Sequence, residues 1–398
     1  MAPAFPRVKL LASESGVTFA AAGLVVMRES GEFFERVISN PPSRSRRDFE
    51  VVMTYEHEVV HFIQAMTSAY LQSHSFELTR LGESILKGHA QLRTLPPGST
   101  LFSVSARRLS HRNDEGLSCR DLLESTAVVE SFKLAAPDPS LVRYLGFRDD
   151  YFPGDSSSPY RRGFDWLAER IGQHFAYELL APICFAAFAG DDPPGNFSII
   201  VEDCLLSGDL PALCKLPMSD LFRSFGMTSG GHFLHHIHRY PDKGGPPILL
   251  PCAKAAVEAL GAERLIEFAA RPASIQDVPG TEFLKPPVVA FSAGLGQPLT
   301  CKPYGLAKTD RRFGKCVVEL CAMLGAAERL TILRNNGDLY QFCPHSHSCP
   351  HFASALCFRW FAPPSLEQEH ENCGFIKLFV ELTGAVPNDV WNTHASPQ

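Results

Sequence analysis

The chain has no Lys/Arg-rich tract. Its densest basic stretch, Arg44-Ser45-Arg46-Arg47, is short and reads as a solvated loop. Basic residues number 37 against 43 acidic ones, for a net charge of −6, so no nucleic-acid partner is expected. No apolar run is long enough to span a bilayer. The candidate near the start, residues 17–27, is short and rich in Ala and Gly, so no membrane association is expected. Pro3, Pro6, Arg7 and Lys9 break up the beginning, so no secretory signal is read and the expected location is cytoplasmic. There are 12 cysteines but no C-x-x-C pair. Without a secretory signal they read as buried thiols or metal ligands, not as a disulfide framework. Internal repeats and low-complexity tracts are also missing. The 398 residues suffice for two domains, or for one large domain with an appendage.

What is present is the run His57-Glu58-Val59-Val60-His61. Two histidines four residues apart share one helix face, about 6 Å apart at the backbone, so their imidazoles can converge on one metal ion. Glu58 follows the first of them, within reach of a water that such an ion activates. The spacing is the HExxH pattern of zinc hydrolases. Val51-Val52-Met53 leads in, and Val59, Val60, Phe62, Ile63, Ala65, Met66 and Ala69 continue an apolar pattern without Pro or Gly. This predicts a mostly buried helix over 49–71. A buried helix can also hold two hydrogen-bonded histidines without metal. Against that, two imidazoles and a carboxylate are costly to bury without a compensating partner.

A catalytic zinc takes three protein ligands and keeps one position for water. The residues after His61, Phe62-Ile63-Gln64-Ala65-Met66, hold neither Gly nor His in register, which excludes the metzincin arrangement. The segment Leu122-Leu123-Glu124-Ser125-Thr126-Ala127-Val128-Val129-Glu130 embeds Glu124 in an otherwise apolar helix, and the small Ala127 would let two helices approach. In His57, Glu58, His61 and the Glu124-x-x-Ala127 stretch, the chain resembles the gluzincin branch of the zincin metallopeptidases. The resemblance implies that His57, His61 and Glu124 hold zinc and that Glu58 is the general base. Glu130 is either a hydrogen-bond partner behind a ligand or the ligand itself. Glu124 can also be read as an acid favoured by a helix N-terminus. Gln64, on the same face as both histidines, is either a partner behind a ligand or an ordinary polar residue.

Residues 230–240 pack four histidines, Arg239 and Tyr240 together. A hydrolase needs donors for a developing oxyanion, and His236 and Tyr240 are candidates. The alternative is a polar loop of solvated histidines. His174 and Glu178 are a core pair or contributors to the metal pocket. Glu58-x-x-His61 is also the ligand pair of ferritin-like di-iron proteins, with Glu124, Glu130, Glu178 and Glu202 as further carboxylates. A second such pair occurs only at Glu367-x-x-His370. Two histidines and one carboxylate also suit a single Fe2+. Near the end, Cys343 and Cys349 alternate with His345, His347 and His351, and Cys357 and Cys373 follow. They read as a second, structural Zn2+ site, or as buried thiols beside surface histidines.

Residues 7–11 and 17–27 are expected to form a β-hairpin. Helices are expected over 76–92, about 119–134, 164–188 with Pro182 as a kink or an end, 197–206, 218–225, 254–260, 264–270 and 315–330. A short strand is expected over 101–107, and loops at 40–43, 95–98, 149–160 and 191–195. The division expected is a metal-site domain over 1–270, a Pro/Gly-rich linker or surface excursion over 271–311, and a helical, Cys/His-rich segment over 312–398. The expected fold class is α+β and mainly helical: a zincin-like core, a small N-terminal β element and the Cys/His-rich C-terminal segment. The expected function is that of a zinc-dependent metallopeptidase or amidohydrolase acting on a peptide or small-molecule amide. The alternative is a mono- or di-iron oxidase or oxygenase acting on a small metabolite. A third class is a protein whose metal is purely structural.

Overall fold

The computed structural model describes residues 16–19, 23–39, 45–86, 98–153, 158–217, 284–291 and 300–309, Leu95, and single positions between 220 and 331. The described chain is mainly helical with one small sheet. Its strands are β1 (Gly16–Phe19), β2 (Leu24–Met27), β3 (Val288–Phe291) and β4 (Thr300–Pro303). The longer helices are α1 (Gly31–Ser39), α2 (Arg46–Thr67), α3 (Ala69–Leu86), α4 (Leu101–Leu109), α5 (Cys119–Ala135), α6 (Leu141–Tyr151), α7 (Pro159–Ile171), α8 (Gln173–Ala187) and α9 (Pro193–Ser207). Single turns form α10 (Leu210–Leu213) and α11 (Leu306–Thr309). None of the described helices is long and apolar enough to cross a membrane.

The sheet order is β1-β2-β3-β4. β1 and β2 form an antiparallel hairpin with Gly16 opposite Met27. β2 then pairs in parallel with β3, Leu24 opposite Val288, and β3 pairs antiparallel with β4. β2 and β3 are buried along their whole length. Their continuous Leu/Val/Ala/Phe runs suit strands covered on both faces.

α2 carries the HEVVH run and lies between this sheet and the helical body. Ser45 caps its start by accepting from the Asp48 amide at 3.1 Å. Toward the sheet, Tyr55 meets Phe34 edge-on at 5.0 Å, and Phe34 packs on Phe291 at 5.0 Å. Toward the body, Met53 joins a core that includes Leu122, Val129, Phe132, Tyr144, Phe164 and Ile183. A helix covered on both sides needs apolar residues on more than one face, and its second half supplies them in Val59, Val60, Phe62, Ile63, Ala65 and Met66, all buried.

α5 begins with a reciprocal cap between Ser118 and Asp121. α7 crosses it closely at Gly163, where a Cβ would stand 3.0 Å from the Asp121 carbonyl oxygen. Ser125 Oγ accepts from the Gly163 amide at 2.9 Å and donates to the Pro159 carbonyl at 2.9 Å. This approach of α7 to α5 is made at Ser125 and Gly163; Ala127, the small residue expected to let helices approach, is fully buried.

Several local expectations need correction. Residues 101–107 form helix α4, not a strand, because Thr100 and Ser103 cap each other at its start. The helix expected over 164–188 divides at Gly172, whose φ of 86° is open to glycine but strained for other residues. Pro182 lies inside α8. The helix expected over 49–71 breaks at Ser68, whose hydroxyl accepts from the Leu71 amide and so starts α3. The hairpin's first strand is Gly16–Phe19; residues 7–11 lie outside the described residues. The loop expected over 149–160 is shortened from both sides, with α6 reaching Tyr151 and Pro159 opening α7. The Pro/Gly-rich 271–311 stretch supplies β3, β4 and α11. The helices expected over 254–260, 264–270 and most of 218–225 and 315–330 lie outside the described residues.

Candidate metal centre

α2 and α5 pack side by side and bring His57, His61 and Glu124 together. His57 Nε2 and His61 Nε2 are 3.0 Å apart, and each lies 3.2 Å from Glu124 Oε2. The three side chains are only 15–18% exposed, so the group is enclosed but reachable. Ligands about 2.0–2.1 Å from a tetrahedral zinc stand roughly 3.3 Å from one another. The observed triangle is close to one face of such a tetrahedron, and two imidazoles with one carboxylate are a donor set zinc accepts. Among the described residues this is the one cluster of three His, Cys, Asp or Glu side chains with ligand atoms converging in this way.

Partners behind the ligands fix their orientation. His61 Nδ1 lies 2.9 Å from Gln64 Oε1, and an amide oxygen can only accept, so Nδ1 carries a proton and Nε2 is the nitrogen left to offer a metal its lone pair. Gln64 donates in turn to the Leu123 carbonyl at 3.3 Å, tying α2 to α5 beside the ligand pair. Arg120 Nε stands 3.7 Å from Glu124 Oε1. The Tyr160 ring lies 6.1 Å from the His57 ring and stacks on Phe152 at 5.0 Å.

Glu58 is buried beside the group. Thr18 of β1 donates its hydroxyl proton to Glu58 Oε2 at 2.7 Å and shares it with the Glu58 carbonyl at 3.0 Å. Gly16 makes this approach possible: a Cβ there would lie 2.7 Å from Thr54 Cγ2 and 3.1 Å from Glu58 Oε1.

The electrostatics follow from burial and proximity. Burial raises the Glu58 carboxyl, and the neighbouring histidines and the Thr18 hydroxyl only partly offset it, so it stays above its ordinary value. Burial also opposes charge on Glu124, but His61 and His57 outweigh it and hold the carboxyl well below the usual carboxylate range. Burial disfavours the His61 imidazolium, while Glu124, Glu58 and Gln64 favour it and lift it to about 9. Glu124 is thus held as an anion in a site that favours a cation. One position before His57 on α2, burial pushes Glu56 to about 7, with Lys285 opposing.

The other candidates fall elsewhere. Glu130 is buried but pairs with Lys133 at 2.9 Å. His174 is exposed, not a core residue, and Glu202 is exposed. These side chains do not assemble a second carboxylate set around His61. His236, Tyr240, Cys343, Cys349, Cys357 and Cys373 lie outside the described residues, as does Glu367-x-x-His370. Cys119, Cys184 and Cys204 are buried cysteines outside any disulfide, and Cys214 is a half-buried one.

Sequence reasoning missed Thr18, Arg120 and Tyr160. Arg120 carries a readable signal, one helical turn before the candidate ligand. Thr18 carries none, because its role depends on where the sheet meets α2. No protein-family model, curated protein or solved structure matches this chain.

Proposed function

We propose that this chain is a zinc-dependent hydrolase with a zincin-like core, cleaving an amide bond in a peptide or small-molecule substrate. One observation carries the reading: His57 Nε2, His61 Nε2 and Glu124 Oε2 converge at 3.0–3.2 Å with the buried carboxyl of Glu58 beside them. A structural zinc is usually closed by four protein ligands and has no need of a carboxylate base. When bound, the metal supplies a Lewis acid and a water of lowered pKa.

The chain's own residues supply the rest. Gln64 keeps His61 in the tautomer that presents Nε2. Glu124 contributes the negative charge that makes the site selective for a cation. Glu58 is the proton carrier: burial holds its carboxyl above the ordinary carboxylate value, and its role is to take a proton from the attacking water and return it to the leaving amine. Thr18 holds Oε2 of that carboxyl. β1 is an edge of the sheet among the described residues, and an extended peptide laid along it would pass Thr18 and Glu58. This favours a peptide over a compact metabolite.

The same two-histidine, one-carboxylate set also suits Fe2+, so the metal itself must be identified. The test is elemental analysis of the purified chain with and without the double substitution His57→Ala/His61→Ala. About one zinc per chain, lost in the variant, supports the hydrolase. Iron lost in its place points to oxygen chemistry and overturns the hydrolase. A zinc that survives the double substitution belongs to another site, with the Cys343–Cys373 segment as its expected source. Glu58→Gln should keep the metal and abolish hydrolysis of a peptide library, a loss of at least about 100-fold for a general base. Loss of metal in that variant would make Glu58 a ligand.

A further inference from the structure

We infer that Arg120 is a positioning residue that keeps Glu124 a one-oxygen ligand; the inference rests on the metal-centre reading above. Glu124 divides its carboxylate. Oε2 faces both imidazole nitrogens at 3.2 Å, while Oε1 faces Arg120 Nε at 3.7 Å. Arg120 lies one turn earlier on α5, the i,i+4 spacing at which a guanidinium can sit over a carboxylate. Two other guanidinium groups near this end of α5, those of Arg112 and Arg162, face Asp121 instead, each at 3.9 Å.

A carboxylate free to turn about its last bond can offer a metal both oxygens. The second oxygen would then occupy the position that a hydrolytic site must keep for water. A fixed cation beside Oε1 resists that turn. The Arg120 side chain is 39% exposed and that of Glu124 is 17% exposed, so the guanidinium stands on the solvent side of an enclosed ligand. There it can hold the carboxylate without being part of the core, and its replacement should leave the fold intact.

The test uses the full chain as wild type, Arg120→Ala and Arg120→Lys. Zinc affinity is read by competition with a chromophoric chelator, and geometry by the absorption of the cobalt(II)-loaded proteins. Arg120→Ala should bind zinc about tenfold more weakly, the lower end of the range for partners behind a metal ligand. Its cobalt bands should weaken as the coordination number rises. Arg120→Lys should restore most of both, and all three metal-free proteins should melt alike. An unchanged affinity and spectrum in Arg120→Ala would overturn the inference. So would a lowered melting point of the metal-free variant with an unchanged spectrum, which would make the pair a structural contact. Cobalt bands left wholly unchanged by His57→Ala/His61→Ala would instead sink the metal-centre reading, and the inference with it.

Discussion

Substituting Gly16 by alanine tests how the sheet is seated on α2. The added Cβ would lie 2.7 Å from Thr54 Cγ2, 3.0 Å from Glu58 Cγ and 3.1 Å from Glu58 Oε1. Ordinary contacts between carbon atoms begin near 3.5 Å, so the closest pair is short by roughly 0.8 Å. Thr54 has little freedom to turn away, because its hydroxyl donates to the Glu50 carbonyl at 2.8 Å. β1 must therefore lift, which stretches the Thr18–Glu58 hydrogen bond. Overpacking of this kind costs about 1–3 kcal/mol. Gly16→Ala should lower the midpoint of urea unfolding by that much and reduce hydrolysis, while metal content stays the same. The companion change Thr54→Ser removes Cγ2 and keeps the hydroxyl, so the double variant should recover part of the stability. A double-mutant cycle over the four proteins measures that coupling. If Gly16→Ala unfolds like wild type, or if Thr54→Ser brings no recovery, the seating of β1 against α2 described above is wrong.

Thr18→Val should leave metal content unchanged and lower kcat about tenfold, since hydrogen bonds to charged groups contribute about 1.5–3 kcal/mol; Thr18→Ser should restore it. Gln64→Leu removes the acceptor that selects the His61 tautomer, and zinc affinity should fall about 10–100-fold in a chelator competition. An unchanged affinity would assign Gln64 to packing alone. His74 offers a pH test away from the metal. Burial lowers it from 6.5 to about 4, and its Nε2 lies 2.7 Å from Ser105 Oγ. The unfolded chain takes up this proton first, so the contribution is complete above about pH 6.5 and is lost as pH falls toward 4. The stability difference between wild type and His74→Asn should shrink by up to about 3 kcal/mol over that window, read from urea unfolding at each pH. A difference that does not change with pH would refute the burial described for His74.

The sequence disclosed the parts of the site that are local. His57, Glu58 and His61 are set by one helical turn, and Gln64 follows three residues after His61 on the same face. Glu124 stood out as an acid among apolar neighbours, but its distance from the histidines comes from the packing of α5 on α2, which one chain does not encode as a pattern. Thr18 was hidden because its hydroxyl reaches Glu58 only through the register of β1 on β2 and a missing Cβ at Gly16. At 101–107 the alternation of Ser103 and Ser105 with Phe102, Val104 and Ala106 suits a strand, but the Thr100–Ser103 cap decides for helix. Residues 271–311 looked structureless because short strands rich in flanking Pro and Gly gain their stability from partners far away in the chain.

That distance has a consequence for the order of assembly. The candidate metal ligands come from α2 and α5, which belong to a body of neighbouring helices and can gather while the chain is still being made. The β1–β2 hairpin is too small to be stable by itself. It gains β3 only after residue 291 has left the ribosome, 167 residues after Glu124, the last of the candidate ligands. A nascent chain would thus assemble the His57, His61 and Glu124 cluster long before Thr18 is held against Glu58. If the cluster is the proposed metal centre, the interval between those two events separates a chain able to bind a metal from one able to use it.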